Sequence, residues 1–252
     1  MIYKLYNDDC LKVMHQLIND NIKVDAIITD PPYGIHNSQF DTIIPFEEMW
    51  ECLNYLIKDK GNILLFSSGI YTHKLVLSNE KLFRYELIWK KSKCGSPLTA
   101  KYMPLKKHEN ILVFGKPASY YEPQMKKGTP YKRNYTPNKV NNLNYGISGV
   151  STDNKGTRHP STVLDYPQQW RRQDQLHPTQ KPVELMEFLV KSYCPENGVV
   201  LDFTMGSGTT GVACKNTNRN FIGIELNTNY SNFNSEYTTN YFEIAKNRIE
   251  NK

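Results

Sequence analysis

The chain has 252 residues, 39% of them hydrophobic, and 31 Lys and Arg against 25 Asp and Glu give it a net charge of +6; that suffices for one full core, or one core with an insertion. No apolar run approaches the roughly twenty residues of a membrane span, and the opening Met1-Ile2-Tyr3-Lys4-Leu5-Tyr6 has no signal-peptide pattern. The five cysteines (Cys10, Cys52, Cys94, Cys194, Cys214) are scattered without a Cys-x-x-Cys pair, which argues against disulfides, zinc or any other metal site and for a reducing cytoplasm.

In chain order, Tyr3 to Tyr6 reads as a short strand. Leu11, Val13, Met14, Leu17 and Ile18 then recur at helical spacing, with Asp8 or Asp9 as the N-cap. Val24 to Thr29 is apolar and β-branched almost without alternation, the pattern of a strand covered on both faces. It is stopped by Asp30-Pro31-Pro32-Tyr33, because proline cannot donate to a sheet ladder and holds its predecessor extended. An acceptor-only carboxylate, a backbone carbonyl and an aromatic ring are left at the strand end, groups that suit holding a planar base by its amino group. The bland alternative is a solvated Asp in a proline-bounded turn.

Residues 38–45 read as loop and Phe46 to Ile57 as a helix ended by Lys60-Gly61. Asn62 to Ser68 is a further buried strand, residues 71–79 a helix, and Tyr85 to Trp89 and Asn110 to Phe114 two more strands. Residues 90–139 carry 12 Lys and Arg against 2 Asp and Glu, whereas 1–89 carry 8 against 12 and 140–252 carry 11 against 11. So local an excess suits a phosphate-binding surface, with a solvated loop as the alternative. From Gly115 to about Leu176 the periodicity is lost among Pro, Gly, Asn and Thr, while Tyr120, Tyr121, Tyr131, Tyr135, Tyr145, Tyr166 and Trp170 are interleaved. A loop of that length inside a compact domain is functional or disordered, and its aromatics argue against disorder.

Order returns at His177-Pro178-Thr179-Gln180-Lys181-Pro182, followed by an amphipathic helix over Val183 to Tyr193. Val199 to Phe203 is a strand leading through Gly206-Ser207-Gly208-Thr209-Thr210-Gly211 into a helix; Asn220 to Glu225 is the next strand and Tyr241 to Glu250 the last helix. The alternation predicts an α/β fold with a doubly wound, mostly parallel sheet. Asp8, Asp9, Asp30, Ser67, Ser68, Asp202 and Glu225 all fall just past carboxyl ends of strands, where such sheets bind ligands, so one crevice can collect them.

The glycine loop satisfies Gly-x-Gly-x-x-Gly between strand and helix, and Glu225 ends the next strand at ribose-binding distance. A nicotinamide-dependent dehydrogenase and an S-adenosylmethionine enzyme both fit. Two features favour the second: only 27 residues follow Glu225, too few for the rest of a dinucleotide domain, and Asp202 directly precedes the loop, which resembles the cofactor motif of methyltransferases.

Asp9-Cys10, Asp30-Pro31-Pro32-Tyr33, Thr179-Gln180-Lys181-Pro182 and the Asp202 to Gly208 loop, in that order, resemble the beta group of DNA amino-methyltransferases, which methylate adenine N6 or cytosine N4. In that group the catalytic motif comes first, a target-recognition insertion follows, and the cofactor loop lies last, a circularly permuted order. The resemblance covers roughly residues 1–115 and 176–250. It implies a catalytic domain over 1–115 and 176–252 with a target-recognition insertion over 116–175, DNA contacts beginning near 90. S-adenosyl-L-methionine is the implied cofactor, held by Asp9, Cys10, Asp30, Thr179, Lys181, Asp202, Gly206, Ser207, Gly208, Thr209 and Glu225. Glu225 would hold the ribose and Asp9 the adenine. The implied substrate is double-stranded DNA, with Asp30, Pro31, Pro32 and Tyr33 acting on a flipped base; Asp rather than Ser before Pro-Pro favours adenine N6 over cytosine N4.

On this reading Tyr33 is a stacking surface, so Tyr33→Phe keeps most activity and Tyr33→Ala loses much of it. Lys90, Lys91, Lys93, Lys106, Lys107, Lys126, Lys127, Lys132 and Arg133 are candidate phosphate contacts, and Arg171 and Arg172 could also read guanine edges. The resemblance further admits a homodimer and a cognate restriction endonuclease. A catalytically silent DNA-binding protein is the third function class, against which the intact Asp30 and glycine loop argue. Two departures stand out. The group's cofactor loop usually reads Asp-Pro-Phe-x-Gly-x-Gly, where this chain has Asp202-Phe203-Thr204-Met205-Gly206-Ser207-Gly208. Asn229-Tyr230 also recurs as Asn240-Tyr241, a local duplication beside the expected ribose site.

Overall fold

The computed structural model describes residues 2–35, 41–95, 97–134, 152–168, 176, 180–226, 230–231 and 238–251. Thr179, Trp170, Arg171 and Arg172, the His177-Pro178 pair, Tyr135, Tyr145 and Asn229 lie outside the described residues. Two compact units divide the chain, one comprising Met1–Glu122 with Thr162–Lys252, the other Pro123–Ser161. The second is narrower than the 116–175 stretch that lacks periodicity.

Among the described residues, the main sheet of the larger unit has eight strands: β1 (Tyr3–Tyr6), β2 (Val24–Thr29), β3 (Ile57–Ser67), β4 (Phe83–Lys90), β5 (His108–Gly115), β10 (Val163–Asp165), β11 (Val199–Asp202) and β12 (Asn220–Ile224). Their spatial order is β1-β12-β11-β2-β3-β5-β4-β10. Every neighbouring pair is parallel except β3/β5 and β5/β4, so β5 alone runs backwards.

Helices α1 (Cys10–Asn19), α2 (Phe46–Leu56) and α3 (Ile70–Leu77) cover one face, and α4 (Val183–Tyr193), α5 (Thr209–Asn216) and α6 (Tyr241–Glu250) the other. The double cover explains the unbroken apolar runs. Ile27, Ile63, Leu65, Leu112 and Leu201 pack under α1–α3, while Ala26, Ile28, Leu64, Phe66, Val113 and Val200 pack under α4–α6. All eleven are at most 1% exposed, and full burial of each large aliphatic side chain is worth about 1.5–3 kcal/mol. Among the described residues no helix is long and apolar enough to cross a membrane.

Asp9 caps α1, its Oδ1 accepting the Lys12 N–H at 3.1 Å. α2 stops at Leu56, one residue short of the expected end, and β3 begins at once at Ile57, which pairs with Val24. Lys60-Gly61 therefore lies inside a strand, not at a helix terminus. Gly61 fits there because a Cβ would come within 2.5 Å of Ile57 Cδ1 and 2.9 Å of the Asp25 carbonyl. β10 was not legible as a strand, since only Leu164 of its three residues is buried. It extends the sheet beyond β4 through Val163↔Ile88 and Leu164↔Trp89.

The topology fixes where a ligand binds. β11 leads through α5 on one face to β12, whereas its neighbour β2 leads through α2 on the other face to β3. The chain diverges between β11 and β2, and a crevice opens at their carboxyl ends.

The 123–161 unit holds two antiparallel ribbons, β6 (Lys126–Lys127) with β9 (Thr157–Arg158) and β7 (Tyr131–Arg133) with β8 (Thr152–Asn154). The Arg158 guanidinium lies 4.7 Å from the Tyr131 ring centre and donates to Asn154 Oδ1 at 2.5 Å. A further short pair, β13 (Tyr230–Ser231) with β14 (Thr238–Thr239), belongs to the larger unit.

Candidate active site

Asp30 and Asp202 end the two strands that flank the switch point, and hydroxyl groups tie their loops together. Thr29 Oγ1 donates to Asp202 Oδ1 at 2.7 Å, Thr210 Oγ1 to Asp202 Oδ2 at 2.5 Å, and the Thr204 N–H to Oδ1 at 3.2 Å. Asp202 is 4% exposed. Burial raises its carboxyl to about 6, against these hydrogen bonds, which favour the carboxylate. Asp202, expected among the cofactor ligands, is buried and braces the loop.

Thr204 stands where the beta group's loop has Phe. Its hydroxyl donates to the Asp30 carbonyl at 3.0 Å and lies 2.7 Å from Thr29 Oγ1. The loop departure seen in the sequence thus links the glycine loop to the Asp30-Pro31 peptide. Removing that hydroxyl in Thr204→Val forfeits about 1 kcal/mol of hydrogen bonding. Methyl transfer should then slow about fivefold in kcat with little change in cofactor affinity, and Thr204→Ser should restore it. Steady-state kinetics of the two variants checks this.

The glycine loop faces space. Gly206 has φ +52, and a Cβ there would meet nothing within 4 Å, whereas one on Gly208, at φ +76, would come 2.9 Å from Ala245 Cβ. Gly206 therefore leaves room for a ligand, and Gly208 lets α6 pack against the loop. Arg248 on α6 braces the other side, its Nη1 donating to the Ser207 carbonyl at 2.5 Å, to Ser207 Oγ at 2.9 Å and to Thr209 Oγ1 at 3.3 Å.

Across the opening, Glu225 accepts the Gly206 N–H at 2.7 Å. Burial pushes its carboxyl up to about 7, outweighing that bond, and Asp202 adds to the rise. An open glycine cradle beside a carboxylate suits a ribose and an amino-acid tail. If the ionised carboxylate accepts ribose hydroxyls, cofactor binding displaces a proton below pH 7. The dissociation constant should then rise about tenfold from pH 8 to pH 6, and Glu225→Gln should flatten that dependence. Calorimetric titration with S-adenosylmethionine at several pH values checks it.

Asp30 is engaged on both carboxylate oxygens. Tyr33 Oη donates to Oδ1 at 2.5 Å, and the Lys181 ammonium pairs with Oδ2. Lys181, expected at the cofactor, is 8% exposed and also lies 3.6 Å from Glu109 Oε2, an ionic contact rather than a hydrogen bond. Lys91 pairs with the other Glu109 oxygen. Burial alone disfavours the Lys181 ammonium, but Asp30 and Glu109 together hold it above the usual lysine range. Burial likewise opposes the Glu109 carboxylate, and Lys181 with Lys91 holds it below its ordinary value. Asp30, Lys181, Glu109 and Lys91 form one alternating chain of charge.

The Tyr33 ring, expected as a stacking surface, is part-buried and already has one neighbour. One face lies against Tyr71, with ring centres 5.1 Å apart and planes at 29°. Its phenol, raised by burial and by Asp30, supports the carboxylate, so Tyr33→Phe deletes a hydrogen bond to Asp30. Asp41, not anticipated from sequence, accepts the N–H groups of Tyr33 at 2.8 Å, Gly34 at 2.9 Å and Ile35 at 2.6 Å, which fixes the turn after the prolines. An acid a few residues beyond a proline-glycine turn is the signal that could have found it. Glu109 had a comparable signal, an acid at the start of an otherwise apolar strand.

Strand order thus places Asp9, Glu225, Asp202 with the glycine loop, Asp30, Ser67 and Glu109 along one edge of the sheet. The Cys10 thiol, pushed up to about 12 by burial and by Asp9, is no nucleophile. Ser67 Oγ bonds Thr72 at 3.1 Å and Ser68 Oγ accepts from Lys106 at 2.7 Å. Lys90 pairs with Asp165 at 2.6 Å on the surface, whereas Lys91 is turned inward to Glu109. Lys126, Lys127, Lys132 and Arg133 are exposed in the 123–161 unit.

A doubly wound sheet with a glycine cradle and ribose-type carboxylate on one side of the switch point, and an acceptor carboxylate with a proline carbonyl on the other, defines a methyl-transferring enzyme of planar amines. The N6/N4 DNA methylase family model matches residues 24–236, and the chain belongs to that family; it is an S-adenosylmethionine-dependent DNA methyltransferase. It is 28% identical over 268 residues to the type II methyltransferase M.HpaI of Haemophilus parainfluenzae, covering 100% of this chain and 76% of that one. It is also 28% identical to the DNA adenine methyltransferase YhdJ of Escherichia coli K12, covering 82% and 73%. The crystal structure of an M1.HpyAVI-SAM complex superposes with a TM-score of 0.66 at 25% identity, covering 99% of this chain and 100% of that one. The family match sets aside the nicotinamide enzyme.

Proposed function

We propose that this chain transfers a methyl group to the exocyclic N6 of an adenine flipped out of double-stranded DNA, with cytosine N4 as the second reading. The observation that carries it is Asp30 at the end of the strand adjacent to the one that leads into the glycine cradle, its carbonyl bonded by Thr204 of that loop. An adenine amino nitrogen is a poor nucleophile because its lone pair is delocalised into the ring. The Asp30 carboxylate and the Pro31 carbonyl accept its two N–H groups, draw it toward tetrahedral geometry and stabilise the positive charge that develops. Lys181 and Tyr33, one on each carboxylate oxygen, hold Asp30 in one orientation. Thr204 fixes the Asp30-Pro31 peptide, the one immediately before the Pro31 carbonyl. Glu225 and Gly206 hold S-adenosylmethionine, which when bound supplies an electrophilic methyl on sulfur. Orientation of the two reactants in one crevice supplies much of the remaining rate.

The adenine assignment is supported by the Asp of Asp30-Pro31-Pro32-Tyr33 and by the name of the YhdJ relative. Incubation with labelled S-adenosylmethionine and mixed-sequence DNA, followed by digestion to nucleosides, tests it. Labelled N6-methyladenine is the expected product; N4-methylcytosine alone would transfer the reading to the other base. Target recognition belongs to the 116–175 insertion, where exposed Lys126, Lys127, Lys132 and Arg133 suit phosphate contacts. The same proposal includes action on DNA in the cytoplasm, a homodimer and a cognate restriction endonuclease.

A further inference from the structure

The connection between β4 and β5, residues 91–107, leaves the sheet at the edge that carries Asp30. It contains five lysines, Lys91, Lys93, Lys101, Lys106 and Lys107, and no acidic residue. Its base continues the hairpin, with the Lys91 N–H donating to the Lys107 carbonyl at 2.9 Å and the Gly95 N–H to the Lys106 carbonyl at 2.8 Å. Lys106 ties it to Ser68, just past the end of β3, and Glu109, two residues beyond it, is one ionic contact from Lys181 and two from Asp30.

The tip is an ordered turn. The Ala100 N–H donates to the Pro97 carbonyl at 3.2 Å, and those of Tyr102 and Met103 to the Thr99 carbonyl at 2.9 and 3.0 Å. It presents large apolar side chains to solvent, Leu98 at 92%, Tyr102 at 88% and Met103 at 58% exposed. A folded turn that exposes three such side chains together, beside a reaction centre and among cations, is built to meet a partner that is apolar inside and anionic outside. Duplex DNA fits both requirements. Flipping a base costs unstacking energy and leaves a gap between apolar base faces, which a side chain can fill.

We propose that the 97–103 turn is the wedge that enters duplex DNA at the target site, with Tyr102 and Leu98 occupying the space vacated by the flipped base and the exposed Lys93, Lys101 and Lys107 holding the phosphates. This rests on the DNA methyltransferase reading above and adds the element that opens the duplex.

The test compares wild type with the Leu98→Ala/Tyr102→Ala variant on two oligonucleotides that carry the mapped recognition site. One is fully paired; the other places the target opposite an abasic position, where extrusion costs little. The expected result is a fall of about tenfold or more in kcat/KM on the paired duplex, with a change of less than about threefold on the abasic-opposed one. The rise in fluorescence of 2-aminopurine at the target position should be lost in parallel. Tyr102→Trp, which keeps a stacking ring, should retain the paired-duplex rate, and calorimetric cofactor binding confirms the fold of each variant. Equal losses on both substrates, or no loss on either, would overturn the wedge. A wild type inactive even on the abasic-opposed substrate would instead overturn the methyltransferase reading beneath it.

Discussion

Asp30→Ala should abolish methyl transfer, lowering kcat by about a thousandfold or more, while calorimetry shows S-adenosylmethionine binding within a few-fold of wild type. The size follows from what is removed, a charged acceptor aimed at developing positive charge in a partly buried site, where electrostatic contributions are largest. Binding survives because the cradle is braced independently, by Asp202 with its threonine partners and by Arg248 on Ser207. Asp30→Asn separates charge from shape. Its amide oxygen still accepts one N–H, so it should fall between Ala and wild type. Turnover of Asp30→Ala near that of wild type would remove Asp30 from the chemistry.

Lys181→Met should be nearly as damaging, for a different reason. Lys181 is the shared cation between Asp30 and Glu109, and its own charge is held by both of them. Removing one member of a buried ionic cluster costs about 3–5 kcal/mol, because the remaining charges are left uncompensated. Two carboxylates that shared one ammonium then repel, and one of them takes a proton at neutral pH. Since the reaction needs an acceptor carboxylate, kcat should fall by about a hundredfold at pH 7 and recover partly as pH rises. The double variant Lys181→Met/Glu109→Gln, with one carboxylate removed, should regain part of the lost stability in denaturant titration. If the single variant kept the wild-type pH–rate profile and lost only cofactor affinity, Lys181 would belong to the cofactor site instead.

Local chemistry made much of the site legible. The strand before Asp30, the two prolines and the Gly206–Gly208 turn are consequences of neighbouring residues, and all are read correctly from short windows. Glu225 and Asp9 follow from the same rule, that polar residues past parallel strand ends face one crevice. Contacts between distant segments were not legible. The Thr-Gln-Lys-Pro element implied a cofactor role for Lys181, and nothing in it signalled that the ammonium pairs with Asp30, a carboxylate from the other half of the chain. Thr204 looked like a lost apolar contact until the Asp30 carbonyl was found beside its hydroxyl. Tyr33 was read for its ring alone, because nothing nearby in sequence revealed Tyr71 on one face or the geometry of its hydroxyl.

The misplaced boundary between α2 and β3 has the same origin. Lys60-Gly61 carries the local signature of a helix end, and pairing of Ile57 with Val24 overrides it. β10 shows the limit of periodicity, since one buried residue in three makes no pattern.

The central claim is that the Asp30 carboxylate and the cofactor cradle form one reaction site. A crystal structure with sinefungin, an S-adenosylmethionine analogue whose amine takes the place of the reactive methyl, tests it most directly. The account predicts the ribose on Glu225, the tail over Gly206, and the amine within about 6 Å of the Asp30 carboxylate, the span of a near-attack contact plus one hydrogen bond. An analogue seated away from Glu225, or with its amine more than about 10 Å from Asp30, would contradict it.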